Sequence, residues 1–493
     1  MPMQYADFPL LTSILLCCLL GLLAIIFTPA HKVRQIKWIS VVFSGLTLLI
    51  SFYLFVVYDQ TTGGLQFVEK VAWIPKMGIS YHNGVDGFSL PMLLLTGIVF
   101  FTGVLTAWEL ELRVKEFFAL IYLLVMGVFG LFMSLDLFFI FVWYDVSLFP
   151  MYLLIAIWGS TRKEYGAMKL TLYLLLGSAL ILPGILYLVV QSGLNTFDLM
   201  ALSIPGTFTA FDQILAFFFF YIGFGILAGV WPFHTWSPVG HVAAPTTVSM
   251  IHAGVLMKIG AFGILRLGMF MCPTGWQYWA PLMALLATVG IVYGVFVGLS
   301  QTDLKYVIGY SSVSHMGIVG LGLATMTVDG LNGAVFQMFA HGIMTALFFS
   351  SVGYIYDRTH TKVIAELGGL AQTMPRAATF FIIAALTGIG VPCLASFWAE
   401  LMVFIASFKV YPLFGSLAIF ALVVSALFIL RVVQRTCFGT LNDRYHHLTD
   451  MTMTLSLPRI ILASVILLFG LFPALMLNII QTASIPFIDR FSG

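Results

Sequence analysis

An all-α, polytopic membrane protein is the fold class that the sequence predicts, and three observations predict it. Of 493 residues, 61% are hydrophobic and 9% charged, against about 25% charged in an ordinary soluble domain. Mean hydropathy is +1.05. Apolar runs recur from residue 9 almost to the end, each near the roughly 20 residues that a membrane-spanning helix needs. They lack period-2 alternation and exceed the roughly 10 residues of a barrel strand. A soluble enzyme and a disordered chain are excluded. A net charge of +2 from 22 basic and 20 acidic residues leaves no basic surface for nucleic acid.

Fourteen windows read as spans: 9–28, 38–58, 88–107, 116–133, 135–158, 167–190, 213–231, 250–271, 278–299, 306–327, 331–356, 378–407, 411–436 and 457–481. The first has no basic flank or cleavage site and reads as a retained helix. The longest gap, about 59–87, carries Gly63, Gly64, Pro75, Asn83 and Gly84 and reads as an external loop. Most Lys and Arg fall in the loops that follow odd-numbered spans. Positive residues stay in the cytoplasm, so both termini of this multi-pass membrane protein are expected outside.

The chain divides into 1–115 (spans one to three), 116–272, 273–440 and 441–493 (span fourteen). The seventh span runs into GVWPFHTWSPVGHVAAPT and the twelfth is interrupted at GIGVPCLASF. Proline removes a backbone donor from each, and Pro232 and Pro392 stand 160 residues apart. Breaks at matching positions predict two inverted five-helix repeats around a mid-membrane path.

A charge at the bilayer centre costs about 2.5–3.5 kcal/mol or more, so the few that lie there carry the functional expectation. Asp145 falls in the fifth span, Lys258 in the eighth and Glu400 in the twelfth; His315 and His341 fall near the centres of the tenth and eleventh. Ser311 and Ser312 flank His315, and Gln337 and Thr345 flank His341, at spacings that share a helix face. A lysine in low dielectric loses proton affinity and a carboxylate restores it, which suits a proton relay. A metal-ion path would want clustered oxygens, and none is seen. The five cysteines form no metal-ligand spacing, and no phosphate loop, dinucleotide fingerprint or haem motif occurs. No cofactor and no redox centre are expected.

The motifs WYDVSLFPMYLLIAIWG, PFHTWSPVGHVAAPT, HAGVLMKIGAFGILR, DLKYVIGYSSVSHMG, FQMFAHGIMTALFFSSVGYIYDRTH, ELGGL and LRVVQRTCFG extend from residue 136 to about 439. With them the chain resembles the antiporter-like subunits of proton-pumping NADH:quinone oxidoreductase (respiratory complex I), the chain M type of the bacterial enzyme in particular. The resemblance implies that Asp145 is a fifth-helix carboxylate partnering a lysine and Lys258 the central lysine. It makes His315 and His341 connecting groups and Glu400 a twelfth-helix acid typical of chain M. It further implies partners of chain L and chain N type in the bilayer, and protons as the cargo.

Two departures stand out. The family usually has glutamate at Asp145, one methylene longer. The seventh-helix lysine should lie seven residues before His234, and Leu227 stands there. His234, His252 or Lys258 would then take over the loading role. Rival readings are an Mrp-type cation/proton antiporter subunit, against which Glu400 and Leu227 both argue, and the membrane arm of a hydrogenase or formate-oxidising complex. A scaffold with a disabled proton path is a fourth.

Overall fold

The protein was analysed as a computed structural model, which describes residues 3–6 and 8–492. Helices dominate. Thirteen helical segments among the described residues are long and apolar enough to cross a membrane. The window expected as the twelfth crossing holds two shorter helices, Pro375–Thr387 and Ala395–Val410. The seventh is likewise split, into Ala210–Ala228 and Trp236–Ala243. At the breaks the chain turns through positive φ, at Gly229 (φ 72°) and at Gly390 (φ 66°).

Polar residues punctuate the apolar runs. Asp136 opens the fifth span by accepting from the Phe138 and Phe139 amides, and Asp303 opens the tenth from Lys305 and Tyr306. Thr209 and Asp212 close a reciprocal capping box on the seventh. These side chains satisfy amides that a helix start leaves without partners.

Two expectations are corrected. The gap at 59–87 is not an open loop. Strands Leu65–Ile74 (β2) and Ile79–Val85 (β3) form an antiparallel hairpin, and Met3–Tyr5 (β1) pairs parallel to β2. Of the residues that suggested irregular chain, Pro75 opens the turn, Pro75–Met77 and then Gly78 at φ 69°, whereas Asn83 and Gly84 lie within β3 and Gly63 and Gly64 precede β2. The window 457–481 is not one helix either. It breaks at Phe472 and Pro473 into Met453–Leu471 and a separate helix, Ala474–Ser492.

The hairpin is bolted to the helices by charge. Asp198, in the turn after the sixth span (Lys163–Ser192), accepts from Lys70 Nζ at 2.5 Å and faces His82 Nδ1 at 3.1 Å. Burial pushes its carboxyl up, but His82 and Lys70 outweigh burial and hold it below the usual carboxylate range. At the hairpin's end Asp86 receives Arg266 in a two-pronged bond of 2.8 and 2.7 Å, with both residues buried. Arg266 belongs to the eighth span, Thr246–Met269, so this pair ties the hairpin to a central helix of the bundle.

The spans differ in burial. The most apolar windows of the eighth and the eleventh (Val328–Thr359) are wholly buried, whereas about a third of the first (Leu10–Phe27) and of the thirteenth (Pro412–Cys437) is buried. A charge on the eighth or eleventh therefore meets protein rather than lipid.

Removing one partner of a buried ion pair costs about 3–5 kcal/mol. Arg266→Met should accordingly lower the thermal unfolding midpoint of the detergent-solubilised chain sharply, and Asp86→Asn combined with Arg266→Met should recover much of the loss. A single variant as stable as the parent would mean that the hairpin is held by other contacts.

Candidate functional site

The eighth span supplies the centre of the site. Two stretches of it, His252–Leu256 and Ile264–Met269, widen into π-helical turns on either side of Met257–Gly263. Such turns free backbone carbonyls from the helix ladder and recur at functional sites. Lys258 Nζ uses one of them, donating to the Ala253 carbonyl, and lies 2.8 Å from His341 Nδ1. Both residues are fully buried. The close approach of the two spans depends on glycine: a Cβ on Gly342 would stand 2.5 Å from the Gly254 carbonyl oxygen.

From His341 the line continues. Its ring stacks on His315 with centroids 5.1 Å apart and planes at 24°. His315 belongs to the tenth span, Leu304–Ala324. Its Nε2 is 3.4 Å from Glu400 Oε1 and 3.1 Å from the Gly388 carbonyl, and its Nδ1 is 2.7 Å from the Ser311 carbonyl. Ser311 Oγ also stands 3.3 Å from Nδ1, and the carbonyl and carboxylate oxygens around the ring only accept. Glu400 also accepts from Gln337 Nε2 at 3.2 Å, while its Oε2 has no protein partner. The broken twelfth crossing thus brings a carboxylate on one half and a free carbonyl, Gly388, at the break onto one histidine.

On the other side of Lys258 the chain holds a second pair of imidazoles. His252 packs on His241 with ring centroids 4.4 Å apart, and Trp236 closes over it at 5.2 Å. Both rings are fully buried and none of their four nitrogens has a hydrogen-bond partner in the protein. Buried polar atoms without partners cost about 1–3 kcal/mol each, so the pair is retained against a stability penalty. His241 was not singled out in the sequence. The signal was present in HVAAPT, but a lone histidine at a helix break looks like any capping residue.

The other expected members stand apart. Asp145 is half-buried and accepts from Ser178 Oγ of the sixth span at 2.7 Å. Among the described residues it makes no ion pair, so the expected carboxylate–lysine partnership is not formed. Ser178 carried no distinguishing mark in the sequence. Leu227 is buried at 1% exposure, inside the apolar core. His234 is buried at the break of the seventh crossing, against the Tyr293 ring at 4.8 Å, with neither nitrogen bonded. Lys258, His341, His315 and Glu400 are in series; His252 adjoins them through His241's neighbourhood and the Ala253 carbonyl; Asp145 and His234 are not joined to them. No group of three or more His, Cys, Asp and Glu suited to a metal is present among the described residues.

A many-span bundle with ionisable side chains running through its wholly buried helices defines an antiporter-like membrane subunit. Residues 134–427 match the family model described as NADH:quinone oxidoreductase/Mrp antiporter, TM, and the chain belongs to that family. It is 36% identical to NAD(P)H-quinone oxidoreductase chain 4 2 of Microcystis aeruginosa, over 89% of this chain and 80% of that protein. To NADH-quinone oxidoreductase subunit M of Rhodobacter capsulatus it is 35% identical, over 91% and 89% respectively. Its fold superposes on a chain of respiratory complex I from Thermus thermophilus with a TM-score of 0.89 at 26% identity, covering 97% of this chain and 99% of the other.

The glycine contact between the eighth and eleventh spans gives a direct test of this packing. Overfilling a close-packed core costs about 1–3 kcal/mol. Gly342→Ala should show that loss as a lowered unfolding midpoint, whereas Gly225→Ala, whose new Cβ would come no nearer than 3.8 Å to the Val230 side chain, should change it little. Equal midpoints for Gly342→Ala and the parent would contradict the tight crossing.

Proposed function

We propose that this chain is a proton-translocating, redox-free membrane subunit of chain M type in an NADH:quinone oxidoreductase. The observation that carries the reading is the buried series Lys258–His341–His315–Glu400. Quinone reduction elsewhere in the complex supplies the energy. Moving one charge against 100 mV takes about 2.3 kcal/mol, so coupling has to shift proton affinities along the series by at least that much.

The geometry supports a sequence of transfers. Protonated Lys258 donates to His341 Nδ1 across 2.8 Å. The proton then leaves from Nε2, which is buried and has no protein partner. Because His341 and His315 stack rather than hydrogen-bond, transfer between them needs a bridging water or a turn of one ring, and that is where a gate belongs. His315 passes its Nε2 proton to Glu400, whose free Oε2 releases it outward. In this reading His241 and His252 replace the loading lysine for which Leu227 leaves no group.

Asp145 has a different part. A half-exposed carboxylate in the bilayer is costly unless something covers it, and a neighbouring membrane subunit, of chain L or chain N type, supplies that cover and senses its charge. The excess of basic residues after odd-numbered spans supports an inner-membrane protein with both termini outside. Split seventh and twelfth crossings support inverted repeats over 116–272 and 273–440.

Removal of a positioned proton-transfer group costs about 10²-fold or more in rate. Lys258→Ala and Glu400→Ala should each cut NADH-driven acidification of proteoliposomes through this chain by about 100-fold, with the complex still assembled on native gels. Wild-type pumping in both assembled variants would defeat the assignment.

A further inference from the structure

A cavity of about 410 Å³ opens between the ends of the third, tenth and eleventh spans and the turn from the seventh crossing to the eighth. Every chain segment that lines it belongs to a connection following an odd-numbered span or to a span end beside one, so it opens on the basic face. Its charged lining consists of Glu109, Lys305, Asp357 and Arg358. Arg358 holds Glu109 at 3.5 Å. Asp357 is exposed and makes no ion pair within 4 Å among the described residues; the charges facing it are Lys305, Glu109, Arg459 and Arg358. Lys305, counted from the sequence as an ordinary loop charge, is 3% exposed. The charges facing it are Lys362, Asp303 and Asp357; Asp303 is occupied in capping the tenth span and Lys362 Nζ is bonded to Ser160 Oγ at 3.0 Å.

Lys305 points inward. Its Nζ donates to the Ala244 carbonyl at 2.9 Å, and the same oxygen lies 3.3 Å from Ser249 Oγ. That hydroxyl is in turn 3.0 Å from the His241 carbonyl. One turn of chain therefore carries the cavity floor at one end and the unpartnered His241–His252 pair at the other, with Lys258 bonded to Ala253 next in line.

We propose that this cavity is the proton-uptake mouth of the chain, with Asp357 as the collecting carboxylate and Lys305 as the relay that hands protons toward His241 and His252. The inference rests on the proton-translocating reading above. A carboxylate at a mouth of low-dielectric walls concentrates cations and speeds their arrival by about 10-fold or more. Lys305 as a neutral amine takes a proton from the Asp357 carboxylic acid and, as an ammonium, gives it to water, which delivers it past the helix turn to a ring nitrogen of His241 or His252; the Ala244 and His241 carbonyls only accept hydrogen bonds and hold the line in place. No proton acceptor of this kind is left at Leu227, so uptake from this side needs another door, and the cavity is lined with the groups for one.

An uptake defect has a signature that a structural defect lacks: it is relieved when protons are abundant. The test is NADH-driven pumping by the whole complex in proteoliposomes, measured as a function of pH on the basic face, for Lys305→Met, Asp357→Asn, Asp357→Glu and Lys258→Ala. Lys305→Met and Asp357→Asn are expected to pump about tenfold slower at pH 8, to recover toward the parent rate as the pH is lowered to 6, and Asp357→Glu to follow the parent throughout. Asp357 is exposed, so its variant folds even where Lys305→Met fails to assemble. A parent-like pH profile for Asp357→Asn, or a loss that is equal at every pH, overturns the inference while impaired Lys258→Ala leaves the broader reading standing. Unimpaired Lys258→Ala in assembled complex overturns both.

Discussion

An ammonium group cannot rest in hydrocarbon without partners, and the arrangement of the central helices answers to that constraint. Lys258 lies on a span with no lipid-facing residue at its centre, and its charge is met by a carbonyl and an imidazole rather than by a carboxylate. A carboxylate in contact would pin the proton; a histidine shares it. The acid of the series, Glu400, stands two rings away, beyond His341 and His315. To let those rings approach, the eighth span widens into π-helical turns and meets the eleventh glycine to glycine.

The β-hairpin and the last helix serve the same centre. Arg266 and Asp86 join the β-hairpin to the end of the eighth span, and the helix Ala474–Ser492 reaches the eleventh through Ser484 and Asn332 at 2.6 Å. Both helices that carry the Lys258–His341 contact are thus held by polar bonds at the end nearest the hairpin.

Much of this was legible in the sequence. Apolar runs marked the spans because hydrocarbon tolerates little else, and prolines marked the two split crossings because a missing donor is a local property. Lys258, His315, His341 and Glu400 stood out because charge and imidazole are rare at such depth. What could not be read was pairing. Nothing along the chain distinguishes Asp145, which meets only a serine, from Glu400, which meets a histidine, since both are single acids in apolar helices. His241 and Lys305 were overlooked because each lies beside a break or a loop, where polar residues are ordinary; only the fold turns them inward. The hairpin was missed because its strands are held by ion pairs to distant turns, such as Asp198, and not by their own hydrophobic pattern.

The central claim is that protons cross between Lys258 and Glu400 through two imidazoles. His341→Phe tests it most directly, since the ring keeps its volume and its stack on His315 but can no longer carry a proton. The measurement is the number of protons pumped per electron by assembled complex in proteoliposomes at a fixed rate of NADH oxidation. A ratio lowered by this chain's share is the expected result. An unchanged ratio, with quinone reduction and assembly intact, would contradict the claim.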